Sequence, residues 1–335
     1  MVLVTGGTGL VGSHLLLHLL EKGIRVRAIH RPGSDLRAVA KVFAYYSENA
    51  DELLRSLEWM EADICDIPAM EAAFEDVEQV YHSAALISFA PQDQDRMMKV
   101  NAEGTANIVN LCLAQRIKKL CYVSSIATIG IGHHEEQVTE EDAYHEKYAN
   151  DYGRSKYAAE LEVWRGSVEG LSVVIINPGI ILGPGFWNGG SGNLFRIANK
   201  GYRHYPPGGS GFVTVQDVVR AMTGLMESQI NNERFLLVSE NLSYRKILTL
   251  ITKNLGLKPP SRLLRAWQLE GLRVIDWLAH AVTGKTRKLT KEGIRSLQHR
   301  AFYSNAKIVG EIAFKFDPVE ATVEFCCSRF KEENP

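Results

Sequence analysis

A glycine-rich turn set between a short apolar run and an amphipathic stretch constrains this chain more than any other feature. Val2-Leu3-Val4 runs directly into Thr5-Gly6-Gly7-Thr8-Gly9-Leu10-Val11-Gly12. Residues 11–22 then carry Leu15, Leu16, Leu19 and Leu20 at helical spacing, and Gly23 is placed to stop the helix. A strand, a glycine turn and a helix in that order aim backbone N–H groups at whatever sits on the turn, and a pyrophosphate is the ligand such a helix N-terminus holds best. A side chain at Gly9 would push the phosphate away, and one at Gly12 would separate helix from strand. The string satisfies Gly-x-Gly-x-x-Gly from Gly7 and Thr-Gly-x-x-Gly-x-x-Gly from Thr5, so spacing alone selects no subfamily. Gly6, Thr8, Gly9, Leu10, Val11 and Gly12 are the candidate phosphate contacts.

The same alternation continues down the chain. Short β-branched or aromatic runs at 2–4, 26–29, 57–60, 80–82, 120–123 and 173–176 are separated by helical patterns, which predicts an α/β fold with a doubly wound parallel sheet. Beyond residue 182 glycine and proline crowd together, up to Pro206-Pro207-Gly208-Gly209. We therefore expect a dinucleotide-binding Rossmann domain at 1–182, with 213–238 returning to it. A smaller, discontinuous C-terminal substrate lobe is expected at 183–212 and 239–335. A chain of 335 residues with 45% hydrophobic content supports both cores.

A formal net charge of −1 provides no overall field toward nucleic acid or an anionic membrane, so neither is an expected partner. No secretory pattern precedes Val2, and a cytoplasmic location is expected. The apolar run 274–282 is interrupted by Asp276 and His280 and is too short to cross a bilayer; it reads as a helix packed on the protein. The five cysteines are odd in number and lack metal-ligand spacing, which fits a reduced compartment and no metal.

At the end of the second run an acidic residue would hydrogen-bond the ribose of NAD. This chain has Ile29-His30-Arg31-Pro32-Gly33 there, with Arg31 suited to pairing with a 2′-phosphate; Asp35 comes too late. NADP is thus the expected cofactor, with NAD as the alternative. Further on, Tyr152-Gly153-Arg154-Ser155-Lys156 opens a helix whose four-residue spacing sets Tyr152 and Lys156 on one side. A neighbouring ammonium lowers a phenol from its usual value near ~10, making it a useful proton donor to a carbonyl oxygen that accepts hydride at its carbon. The run 120–123 ends in Ser124-Ser125, where a hydroxyl would hold that oxygen.

These segments together resemble the extended short-chain dehydrogenase/reductases, the NAD-dependent epimerase/dehydratase superfamily, and within it the dihydroflavonol 4-reductase-like branch. The resemblance covers nearly the whole chain. Tyr122-Val123-Ser124-Ser125-Ile126-Ala127-Thr128-Ile129-Gly130 is similar to the family's serine segment, implying Ser125 as the catalytic serine with Ser124 as second choice. Val100-Asn101-Ala102-Glu103-Gly104-Thr105 looks like the asparagine motif, implying that Asn101 supports the lysine through a water; read bare, Asn101 caps the following helix. Asp63-Ile64 resembles the adenine contact, Ser83-Ala84-Ala85 the small-residue wall in which Ala84 and Ala85 flank the cofactor, and the segment at Asn177 the nicotinamide border with Pro178 and Ile180. A homodimer is the assembly the resemblance implies, and no residue in the sequence demonstrates one.

The resemblance implies an NADP-dependent carbonyl reductase or alcohol dehydrogenase acting on a small-molecule carbonyl or alcohol. A nucleotide-sugar epimerase using bound NAD is the alternative, weakened on two counts. Ile126-Ala127 stands where the sugar dehydratases carry Asp-Glu, and Gly209-Ser210-Gly211 stands where a diphosphate-binding arginine often lies, though Arg203 or Arg234 would substitute. A non-catalytic dinucleotide-binding regulator is the third reading. His133-His134, near Glu135, Glu136, Glu140 and Glu141, reads as a solvated acidic loop, and the cluster Phe186, Trp187, Phe195, Tyr202 and Tyr205 reads equally as pocket wall or lobe core.

Overall fold

The computed structural model describes residues 1–130, 137–283, 287 and 290–334. Strands of three or more residues are β1 (Val2–Thr5), β2 (Val26–His30), β3 (Glu58–Glu61), β4 (Gln79–His82), β5 (Lys119–Val123), β6 (Val173–Pro178), β7 (Ile180–Leu182), β8 (Gly209–Thr214), β9 (Glu233–Leu237) and β10 (Glu240–Ser243). Seven of them form one parallel sheet in the order β9-β6-β5-β4-β1-β2-β3. A parallel sheet covered on both faces needs apolar side chains on both, and β1, β5 and β6 are buried along their whole length.

The covering helices follow from the sequence pattern. On one face α1 (Leu10–Glu21) packs beside the helix Val215–Glu227, with Leu15, Leu16 and Leu19 meeting Val218, Met222 and Leu225 in one core. On the other, helices Gly104–Ala114 and Asp151–Val168 bury Ile108, Val109, Ala159 and Val163 against β4, β5 and β6. Strand order reverses between β1 and β4, so the glycine turn after β1 and the ends of β4 and β5 border one crevice, the place where open α/β sheets bind ligands.

A second sheet, β10-β8-β7, carries the lobe, and its core is built from Leu182, Phe212, Ile247, Ile251, Val323 and Phe330. The strand Ile180–Leu182 belongs to this sheet, pairing with Phe212 to Thr214, so the chain leaves the main sheet at Pro178 instead of 182. Gly179 permits the crossing: a Cβ there would lie 2.4 Å from the Gly211 carbonyl oxygen. Within the aromatic cluster, Trp187 and Phe195 are lobe core, packed edge-on and stacked against Phe330, whereas Tyr202 is exposed. The helix expected to pack around Trp277 does form, at Ala266–Thr283, but Leu269 is its one buried residue.

Candidate active site

The glycine turn is held by its neighbours. Gly6 is left-handed, with φ of 72°, and a Cβ on it would come within 2.6 Å of the Ala84 amide nitrogen. A Cβ on Gly12 would meet the Gly6 carbonyl oxygen at 2.1 Å, whereas one on Gly9 would find only that oxygen, at 3.4 Å. Gly12 therefore serves internal packing, and Gly9 leaves space for an occupant. Gly9 is also the N-cap of α1, no side chain caps the helix, and its first turn holds no acidic residue. The first N–H groups, at Leu10, Val11 and Gly12, are those a helix cannot satisfy internally, so the cradle fits a dinucleotide pyrophosphate. Thr8, inside the turn, is partly exposed.

Around the cradle, β4 is tied to β1 by Ser83 Oγ donating to the Thr5 carbonyl at 2.7 Å and the Ala84 amide donating to Thr5 Oγ1 at 3.3 Å. That brings half-buried Ala84 and exposed Ala85 beside the turn. Arg31 is exposed just beyond β2. Asp35 is engaged elsewhere: it caps the next helix through the Arg37 amide at 3.1 Å and pairs with the Arg37 guanidinium. Asp63 Oδ1 accepts the Cys65 amide at 2.9 Å, and Ile64 is buried against Gly104, where a Cβ would lie 2.6 Å from Ile64 Cδ1.

The two serines left open by the sequence have different partners. Ser124 Oγ donates to buried Glu160 at 2.5 Å, and the same carboxylate oxygen accepts Thr128 at 2.8 Å and Asn177 at 2.9 Å. Ser125 accepts the Ala127 amide at 3.1 Å, starting a 3-10 turn, and lies beside Tyr152. Asn150 caps Asp151–Val168 through the Gly153 amide at 2.7 Å. Gly153 lets this helix approach the loop after β5, since a Cβ there would already stand 3.1 Å from the Ala127 carbonyl. Burial pushes the Tyr152 phenol up to about 12, with the neighbouring Ser125 side chain pulling the other way.

Lys156 departs from the expectation that its ammonium sits on Tyr152. One turn along the helix its side chain runs inward to the end of β5, donating to the Tyr122 hydroxyl at 2.6 Å and the Val123 carbonyl at 2.8 Å. Burial pulls the amine down to about 7, opposed by Glu160. Asn101 lies in a π-helical turn (Met98–Glu103), so it is not the N-cap its bare reading suggested. Its side chain accepts the Leu86 amide at 2.7 Å and donates to the Leu86 carbonyl at 3.0 Å and to Ser155 Oγ at 2.9 Å, reaching the residue beside Lys156. Pro178 ends β6 buried, and Ile180 opens β7 half-buried.

Sequence reasoning missed the groups that support the lysine. Thr5 Oγ1 meets His82 Nδ1 at 2.6 Å, His82 Nε2 meets Thr105 Oγ1 at 2.9 Å, and the His82 ring lies 5.4 Å from the Tyr122 ring. Buried polar groups thus cluster between the strand before the glycine turn and Lys156. Burial holds His82 neutral, pulling it down to about 3. The available signal was a histidine and a tyrosine inside runs buried on both faces, where a polar group must find a partner.

A cavity of ≈ 20 Å³ beside Tyr152 is lined by Phe89, Asn150, Thr290, Glu292 and Gly293, so the lobe borders Tyr152. Arg234, a candidate diphosphate ligand, is held by Glu160 at 3.2 Å and by the Glu140 carbonyl. Glu140 itself is buried and accepts the Leu236 amide at 2.8 Å, against the expected solvated loop; His133, His134, Glu135 and Glu136 lie outside the described residues.

The family model described as "NAD dependent epimerase/dehydratase family" matches residues 2–237. A putative dihydroflavonol 4-reductase of Synechocystis sp. is 27% identical over 322 residues, covering 92% of this chain and 88% of that protein. The crystal structure of gox2253 superposes with a TM-score of 0.83 at 28% identity, covering 99% of this chain and 98% of the other. The UDP-glucose 4-epimerase of Thermotoga maritima shares the fold, with a TM-score of 0.76 at 21% identity, covering 100% of this chain and 99% of the other. The crevice at the strand-order reversal, the glycine cradle and the match over residues 2–237 agree, and the chain belongs to the NAD-dependent epimerase/dehydratase family of extended short-chain dehydrogenase/reductases.

Proposed function

We propose that this protein is an NADP-dependent carbonyl reductase or alcohol dehydrogenase, with Ser125, Tyr152 and Lys156 as its reacting and orienting groups. The observation that carries the reading is the placement of Ser125 beside Tyr152 at the crevice end of β5, with Lys156 buried one helical turn away. NADPH, when bound on the glycine cradle with Arg31 at its 2′-phosphate, supplies hydride to a carbonyl carbon. Ser125 and Tyr152 then share the substrate oxygen: the serine hydroxyl orients it, and the phenol delivers the proton. Lys156, anchored on the Tyr122 hydroxyl and the Val123 carbonyl, is the orienting amine of the site, and Asn101 fixes that helix through Ser155.

An epimerase reading needs cations for a sugar diphosphate, and Arg234 is already committed to Glu160 and Glu140. A relative named putative dihydroflavonol 4-reductase supports reduction of a carbonyl in a small organic substrate. The cofactor half of the proposal is tested by titrating NADPH and NADH against wild type and Arg31→Ala. NADPH affinity should fall about tenfold or more with NADH affinity unchanged, the scale of one charge-assisted contact. Equal losses for both cofactors, or no loss, would remove the basis for NADP.

A further inference from the structure

The helix Ala266–Thr283 is amphipathic in the wrong sense for a helix packed on a protein. A surface helix turns its apolar stripe to the core. Here Leu269, Arg273, Asp276 and His280, which share one face, are buried or half-buried against the protein. The opposite face presents Trp267 at 69% exposure, Ile275 at 63%, Leu278 at 49% and Val282 at 84%, with Trp277 at its edge. Among the described residues nothing covers that face.

Charge indicates the partner. Residues 258–300 contain ten lysines and arginines against three acids, although the whole chain is balanced at 38 to 39. Arg262 and Arg265 are exposed just before the helix, and Lys291 is exposed on the helix that follows, Lys291–Gln298. A second copy docked on the same face would bring two like-charged segments together, which disfavours self-association there. Exposed tryptophans on an apolar face bordered by cations are the recognition elements for the headgroup region of an anionic bilayer.

We infer that Ala266–Thr283 docks the protein on an anionic lipid surface, lying in the plane of the headgroups. Among the described residues no helix is long and apolar enough to cross a membrane, so the contact is interfacial. The helix packs against Lys291–Gln298, whose first turn lines the cavity beside Tyr152, so docking brings that mouth to the lipid.

The test is co-sedimentation of the full chain with vesicles of phosphatidylcholine alone or mixed with phosphatidylglycerol. Wild type should bind the mixed vesicles, release as salt is raised, and bind pure phosphatidylcholine far less. Ile275→Ser with Leu278→Ser should weaken binding at least about tenfold. Arg262→Gln with Arg265→Gln should weaken it about fivefold per charge, with unchanged NADPH affinity showing that the fold is intact. Wild type remaining in the supernatant, binding indifferent to lipid charge, or folded variants binding like wild type would overturn the inference. A dimer by sedimentation velocity that Ile275→Ser with Leu278→Ser converts to monomer, without vesicle binding, would identify the face as a protein interface and equally overturn it.

Discussion

Ser124 and Ser125 are adjacent in sequence yet sit in different chemical environments, and the division follows from strand geometry. Successive side chains alternate sides as the chain leaves β5, so one hydroxyl turns toward Glu160 inside the protein while the next meets the Tyr152 phenol. Ser125→Ala should therefore lower kcat by about 10²–10³ with little change in stability. Ser124→Ala should do the reverse, costing about 1–3 kcal/mol because it leaves the buried carboxylate short of a donor. Steady-state kinetics and urea unfolding on both variants check the pair, and a swap of the two effects would mean that the roles are exchanged. The sequence made Tyr152 and Lys156 legible through their four-residue spacing. It could not reveal that Lys156 is bound by Tyr122, because that hydrogen bond spans 34 residues and two elements.

Among the elements, the strand–turn–helix at the N-terminus shows how backbone proximity assigns different work to glycines that look alike in the motif. Gly12→Ala drives a Cβ toward the Gly6 carbonyl, backbone against backbone, and is expected to cost about 3 kcal/mol or more of stability. Gly9→Ala is expected to fold with a Tm near wild type and to bind NADPH about tenfold or more weakly. Thermal unfolding and cofactor titration check both; normal cofactor binding by Gly9→Ala would place the phosphates elsewhere. The inner strands β1, β5 and β6 were visible as apolar runs because burial on both faces leaves little room for polar side chains. Two element-level readings were out of reach. That Ile180–Leu182 joins a second sheet shows only once Gly179 is seen to pass under Gly211, and the outward apolar face of Ala266–Thr283 shows only once the protein side of that helix is known.

At the scale of the molecule, the lobe and the sheet meet over Tyr152. The cavity there, ≈ 20 Å³, holds about one water, well below the roughly 300–1,000 Å³ of pockets for organic ligands. Composition showed a near-neutral chain and concealed a strongly basic stretch within it, because a sum over 335 residues erases position. The proposed reaction passes hydride to a carbonyl carbon in this crevice while Tyr152 protonates its oxygen. Mass spectrometry of alcohols formed from a ketone and aldehyde panel with NADPH deuterated at the nicotinamide C4 tests it most directly. Wild type should place one deuterium on the carbinol carbon, and Tyr152→Phe should bind NADPH normally while the rate falls about 10²–10⁴-fold. Equal deuterium transfer by both proteins, or inversion of a nucleotide sugar by wild type with no transfer to any carbonyl, would contradict it.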